Sequence, residues 1–152
     1  MSAAVMVIIG ALGFAFGAPI LFPSLGPTIF LQTVTPNEAS ARIWNTLVGH
    51  AIGIAAAFAA LFLFGAEHAP AAMSFGSIAL GRIGATALAV GITIAAQFVF
   101  AAEHPPAAAT TMLITLGSFA ADWQTVLLLA AGIVLVAGLG EFARRCDPAL
   151  EP

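Results

Sequence analysis

The stretch from Glu103 to Gly117 limits this chain more than any other. It lies between two long apolar segments and is itself nearly uncharged, so it does not suit a solvent-exposed loop. Pro105 and Pro106 fix φ and lack N–H groups, which suits the first positions of a helix, and Gly117 suits its end. The spacing predicts a helix of about 12 residues, about 18 Å long. Such a helix is too short for roughly 30 Å of hydrocarbon and too apolar for water. A re-entrant half-helix packed among other helices satisfies both limits, with His104 at its N-terminal end inside the membrane.

Of the 152 residues, 61% are hydrophobic and 7% are charged, against about 25% charged in soluble domains. The expectation is one integral membrane domain covering 1–152. Four spans are predicted: Ala3 to Phe22, Ile43 to Phe64, Ile78 or Arg82 to Ala102, and Trp123 to Phe142. Trp44 is an interfacial anchor type. Gly13/Gly17 and Gly49/Gly53 have the spacing that lets helices approach, within or between protomers. Pro23 to Thr33 holds a second short apolar run, in which Gly26 and Pro27 read as cap and first helical position. The fold class is therefore all-α, with four transmembrane helices and two re-entrant half-helices. A four-span wall is thin, so a homo-oligomer is expected. Glu141 to Pro152 reads as a polar tail.

Several functions are excluded. The chain has four basic residues, all arginine, which argues against nucleic acid. Cys146 is the single cysteine, so neither an internal disulfide nor a cysteine metal site is available. His50, His68 and His104 fall at different depths, which argues against a metal, and no cofactor is implied. No nucleophile–base arrangement or phosphate-binding glycine loop points to an enzyme.

Shifting the sequence by 79 positions lays Trp44 on Trp123, Thr46 on Thr125, Gly53 on Gly132 and Pro27 on Pro106. The halves, approximately 1–65 and 78–145, each read as span, broken half-helix and Trp-led span. Two spans per half imply parallel, same-orientation repeats about an axis along the membrane normal. Arg82, Arg144 and Arg145 then fall on the side of both termini, with Arg42 on the other. The positive-inside rule predicts cytoplasmic termini in a bacterial inner (cell) membrane.

A helix N-terminus carries about half a positive charge and unpaired N–H groups. Two half-helices starting near Pro27 and Pro106 would aim the amides of Thr28, Ile29 and Phe30, and of Ala107, Ala108 and Ala109, at one place. Their ligand would be a small inorganic anion, held without lysine or arginine. Packing alone, with Ser24 closing the amides, is the competing reading. His104 is an intramembrane ionisable group that could donate to an anion or carry a proton with it. His50, on a face adjoining Asn45, Gly49 and Gly53, either shares that cavity or bonds across helices.

His104-Pro105-Pro106-Ala107 between two spans resembles the signature of the HPP family of integral membrane proteins. Phe22 to Thr28, and Gly49-His50 with Ile52-Gly53, are similar to that family's first half, and the likeness runs from about Phe22 to about Phe142. The resemblance implies four transmembrane helices and a transport role, with plant plastid members linked to nitrite. It marks Pro23, Ser24, Gly26, Pro27, Asn45, Gly49, His50, His104, Pro105 and Pro106. The approach to Asn45 departs from the pattern, being less proline-rich than the family suggests. The function expected is transport of a small anion, nitrite first, by a channel or a proton-coupled carrier. The alternative is a non-transporting assembly or regulatory subunit.

Overall fold

The structure, a computed structural model, describes residues 1–146; the part of the predicted tail beyond Cys146 lies outside them. The described residues form α1 (Ser2–Phe16), α2 (Leu25–Val34), α3 (Ile43–Leu63), α4 (Ala72–Phe75), α5 (Leu80–Val99), α6 (Pro105–Thr115) and α7 (Trp123–Cys146), with a 3-10 turn at Ala39–Ala41. Among them there is no strand. Three helices, α3, α5 and α7, are long and apolar enough to cross a membrane, with mean hydropathy 2.0, 1.5 and 2.3.

The first predicted span is shorter than expected. α1 has 15 residues, about 22 Å, and ends at Gly17, which adopts φ 61. Pro19 and Pro23 bar further helix. The chain turns back along α1: Ala18 N donates to Gly13 O at 2.9 Å. A Cβ on Gly13 would stand 2.7 Å from Ala18 O, and one on Gly10 would stand 3.3 Å from Leu21 Cδ2. Gly13 therefore makes room for its own chain's return, and Gly17 is a helix cap. They do not form the helix-packing seam that their spacing suggests.

The segment then continues as α2 toward the start of α1, where Ser2 Oγ and Thr33 Oγ1 lie 2.7 Å apart. α2 begins at Leu25, before the predicted Pro27, because Phe22 O and Pro23 O already accept from the amides of Leu25 and Gly26.

α6 begins at Pro105 as the two prolines predict, with His104 as N-cap. It runs from one end of the bundle toward the other, so a re-entrant placement is not confirmed. It enters beside the start of α3, where Asn45 Nδ2 donates to Glu103 O at 3.1 Å. It runs antiparallel along α5, through Thr93···Thr111 at 3.1 Å and Thr86 to Thr115 at 2.9 Å. It leaves at the start of α5, where Arg82 Nη1 donates to Thr115 O at 2.7 Å. Ala72 N, in the connection after α3, donates to Leu116 O at 2.9 Å. The expectation of a re-entrant helix counted helical rise alone. Non-helical chain precedes α6: Phe100 and Ala101 form a turn, with Ala101 at φ 46, and His104 itself is extended, so helical rise alone underestimates the path.

α2 and α6 lie side by side in opposite directions: Ser24 meets Thr110 and Thr28 meets His104. This corrects the same-orientation reading of the two halves. Around this pair, α3 packs on α5 and α6, α7 packs on α1 and α2, and α3 meets α7. Arg42 also changes place. It shares a surface groove with Glu141 and Arg144, at the end of the bundle that holds Ser2. Arg82 alone lies at the other end, 4% exposed, with its guanidinium donating to the carbonyls of Ala69, Pro70 and Thr115.

Candidate functional site

The N-terminal halves of α2 and α6 overlap in the centre of the bundle, and the polar side chains that they carry are fully closed in. His50 and His104 are both 0% exposed, with ring centres 5.0 Å apart in an edge-to-face arrangement. Thr28 Oγ1 lies 3.3 Å from His50 Nε2 and 3.1 Å from His104 Nε2. Thr110 Oγ1 lies 2.9 Å from His50 Nδ1, and Ser24 Oγ lies 2.6 Å from Thr110 Oγ1. On the far side of the cluster, His104 Nδ1 meets Ser40 O at 2.7 Å.

Local sequence explains how these groups meet. The prolines at the first two positions of α6 start the helix immediately after His104, whose backbone is extended (φ −144, ψ 90). Gln97 on α5 fixes that backbone: its Oε1 accepts from His104 N at 3.0 Å. Glycines on α3 set the distance to α6. A Cβ on Gly49 would come within 2.8 Å of His104 Cβ, and one on Gly53 within 2.7 Å of Thr111 Oγ1 and 2.9 Å of Ala107 O. The Gly49/Gly53 seam thus packs within the protomer. Asn45 ties the start of α3 to the carbonyl of Glu103, just before His104.

Proton accounting assigns the tautomers. A carbonyl only accepts, so His104 Nδ1 carries a proton and Nε2 of the neutral ring accepts. The hydroxyl in reach is Thr28, whose one proton can go to Nε2 or to Ser24 O at 3.0 Å; given to Nε2, it pairs the ring. Thr28 has one proton, so its oxygen accepts from His50 Nε2–H. His50 Nδ1 then accepts from Thr110, whose oxygen accepts from Ser24. With both rings neutral, this is the arrangement that pairs each of these donors and acceptors.

The predicted residues divide among the cluster, two clefts and positions that join none of these. Ser24, Thr28, His50 and His104 form the cluster, and Asn45 positions it. Pro27, Pro105, Pro106 and Ala109 border a shallow apolar cleft of about 270 Å³. Ala108 borders a second cleft, of about 280 Å³, with Gln97, Glu103, His104 and Pro105. Gly26, Ile29 and Ala107 do not join the cluster; Ile29 and Ala107 are core residues. Several of the amides expected to hold an anion are spent. Thr28 N donates to Ser24 O and Ala107 N to His104 O, while Ile29 and Phe30 lie inside α2 because it starts early. Sequence reasoning missed Ser40, Gln97 and Thr110 as partners. Gln97 and Thr110 were legible as polar residues in apolar helices, a costly placement that calls for a partner. Ser40 contributes only a carbonyl, which carries no sequence signal.

His68 is an exposed surface residue, away from the other two histidines, and no group of three or more metal-ligating side chains occurs among the described residues. The model of a family described as "HPP, transmembrane region" matches residues 1–148. No curated protein and no solved structure matches the chain.

Proposed function

We propose that this chain, which belongs to the HPP family of integral membrane proteins, carries small inorganic anions across a membrane, nitrite being the leading candidate. The observation that carries this reading is the buried pair His50 and His104 joined through Thr28, where two short helices overlap. Ionisable groups at membrane depth are expensive, and they mark substrate or proton pathways. Transporters place substrate sites where discontinuous helices meet near the midplane. Here the break in each short crossing falls beside the cluster: residues 18–22 lead into Ser24, and residues 100–103 lead into His104.

On this reading the anion takes hydrogen bonds from the hydroxyls of Ser24, Thr28 and Thr110 and from the histidine rings. Converging backbone amides, the basis expected from sequence, are not needed. Opening α2 away from α6 would expose the cluster, and the apolar cleft at Pro27, Pro105 and Pro106 lies along their contact.

The topology belongs to the same proposal. α1, α2 and α3 cross in turn, as do α5, α6 and α7, with α2 and α6 completed by non-helical chain. Three crossings per half make the halves an inverted repeat about an axis in the membrane plane. The contacts support this: α3 on α5 and α6 mirrors α7 on α1 and α2, and α5 on α6 mirrors α1 on α2. The end with Arg42, Arg144 and Arg145 would face the cytoplasm of a bacterial inner membrane. The test is anion uptake by the purified protein in liposomes. Flux of nitrite above empty vesicles supports the reading; none for nitrite, nitrate, formate or chloride removes it.

A further inference from the structure

The cluster accepts one extra proton without losing a hydrogen bond, and the group that makes this possible is the Thr28 hydroxyl. Thr28 Oγ1 lies 3.1 Å from His104 Nε2 and 3.0 Å from Ser24 O. With His104 neutral, Thr28 donates to Nε2. With His104 carrying protons on both nitrogens, Nε2–H donates to Thr28, and the Thr28 proton turns to Ser24 O. The Thr28 oxygen then accepts from both His104 and His50, using its two lone pairs. Placing the extra proton on His50 instead would put a donor on Nδ1, and both Thr110 and Ser24 would have to turn. His104 is the cheaper carrier.

We propose that His104 binds the coupling proton, that Thr28 is the toggle which lets it do so, and that proton and anion cross together, one for one. This rests on the transport reading above. The charge balance follows from burial. α2 and α6 bring hydroxyls to the two histidines, α5 brings the Gln97 amide and the 3-10 turn brings a carbonyl. The formal charges around the cluster are Glu103, which precedes His104, and Glu38 and Arg42, two residues either side of Ser40, whose carbonyl meets His104 Nδ1; Arg82 lies at the far end of α5 beside Thr115, and none of these side chains bonds to the cluster. An imidazolium closed among neutral groups needs an anion, and a buried anion needs the imidazolium. One positive charge selects a monovalent anion that accepts hydrogen bonds. In the loading step a hydronium proton bonds to His104 Nε2, water is released, and the Thr28 O–H rotates without breaking. In the release step the Nε2–H bond breaks to water as the anion leaves.

Two measurements test this. In liposomes, nitrite uptake should bring in one proton per anion and should not respond to an imposed membrane potential. Thr28→Val should lower the proton-driven stimulation of uptake at least tenfold, and Thr28→Ser should restore it. Uptake that carries net charge, or stimulation that survives Thr28→Val, overturns the proposal even where transport itself is confirmed. Histidine ¹⁵N NMR in nanodiscs is independent of flux. It should find neutral His104 protonated on Nδ1, neutral His50 protonated on Nε2, and a single proton taken up by His104 on acidification. The Nε2–H tautomer at His104, or uptake by His50 first, overturns it. Absence of wild-type flux together with these NMR signals would sink the transport reading and with it the coupling, while leaving the toggle intact.

Discussion

Thr28 Oγ1 stands between the Nε2 atoms of two histidines, 3.3 Å from His50 and 3.1 Å from His104, so that one hydroxyl joins three helical segments. α2 supplies the hydroxyl, α3 supplies His50, and His104 caps α6. A change in how α2 sits on α6 must therefore pass through this oxygen. That coupling is the physical content of the functional reading.

The close approach of α6 to α3 depends on glycine. A Cβ on Gly53 would meet Ala107 O at 2.9 Å, a backbone atom that cannot turn aside, whereas a Cβ on Gly138 meets nothing within 4 Å. Gly53→Ala should destabilise the folded protein by about 1–3 kcal/mol through overpacking, and Gly138→Ala should be neutral. Thermal unfolding in detergent, followed by tryptophan fluorescence, separates the two. Equal melting temperatures would show that the helices can part freely here.

Arg82 is a structural cation with no carboxylate partner among the described residues. Its guanidinium holds the carbonyls of Ala69, Pro70 and Thr115, and the helix dipole places partial negative charge at that end of α6. Gly117, at φ 85, has its Cβ position 2.7 Å from Arg82 Cζ, so no other residue fits. Arg82→Met should cost about 3 kcal/mol or more, since buried carbonyls lose their donors. Arg82→Lys should recover only part, because an ammonium lacks the planar fork. Limited proteolysis should find the connection between Leu63 and Leu80 cut faster in both variants.

The direction of α6 decides the topology. Asn37 and Ser118 are both exposed. In a Cys146→Ser background, Asn37→Cys and Ser118→Cys should react with an impermeant thiol reagent from opposite sides of sealed vesicles. A re-entrant α6 predicts labelling from the same side.

Much of this was legible in the residues themselves. Pro105 and Pro106 announce the start of α6 because proline acts locally. Composition announces the membrane. What was not legible depends on non-helical chain and on contacts between distant residues. Nothing local says that residues 18–22 climb back along α1, so Gly13 and Gly17 were read as a helix seam. Length alone made α6 look unable to cross. His50 and His104 could be singled out one by one as costly in a membrane, but their meeting over Thr28 requires α2 and α6 to run antiparallel, which no spacing encodes. The α2 side of the amide cradle was misplaced for a related reason: Ser24 caps α2 earlier than Pro27 suggests, and this internalises Thr28, Ile29 and Phe30.

The central claim is that the buried histidine cluster is where the transported anion is held. It is tested most directly by nitrite flux into liposomes, measured for the wild type and for His104→Gln at matched folded protein. The account predicts clear wild-type flux above empty vesicles and a loss of roughly tenfold or more in the variant, equivalent to about 1.4 kcal/mol of lost interaction. Flux in His104→Gln equal to that of the wild type, with the same dependence on the proton gradient, would contradict it.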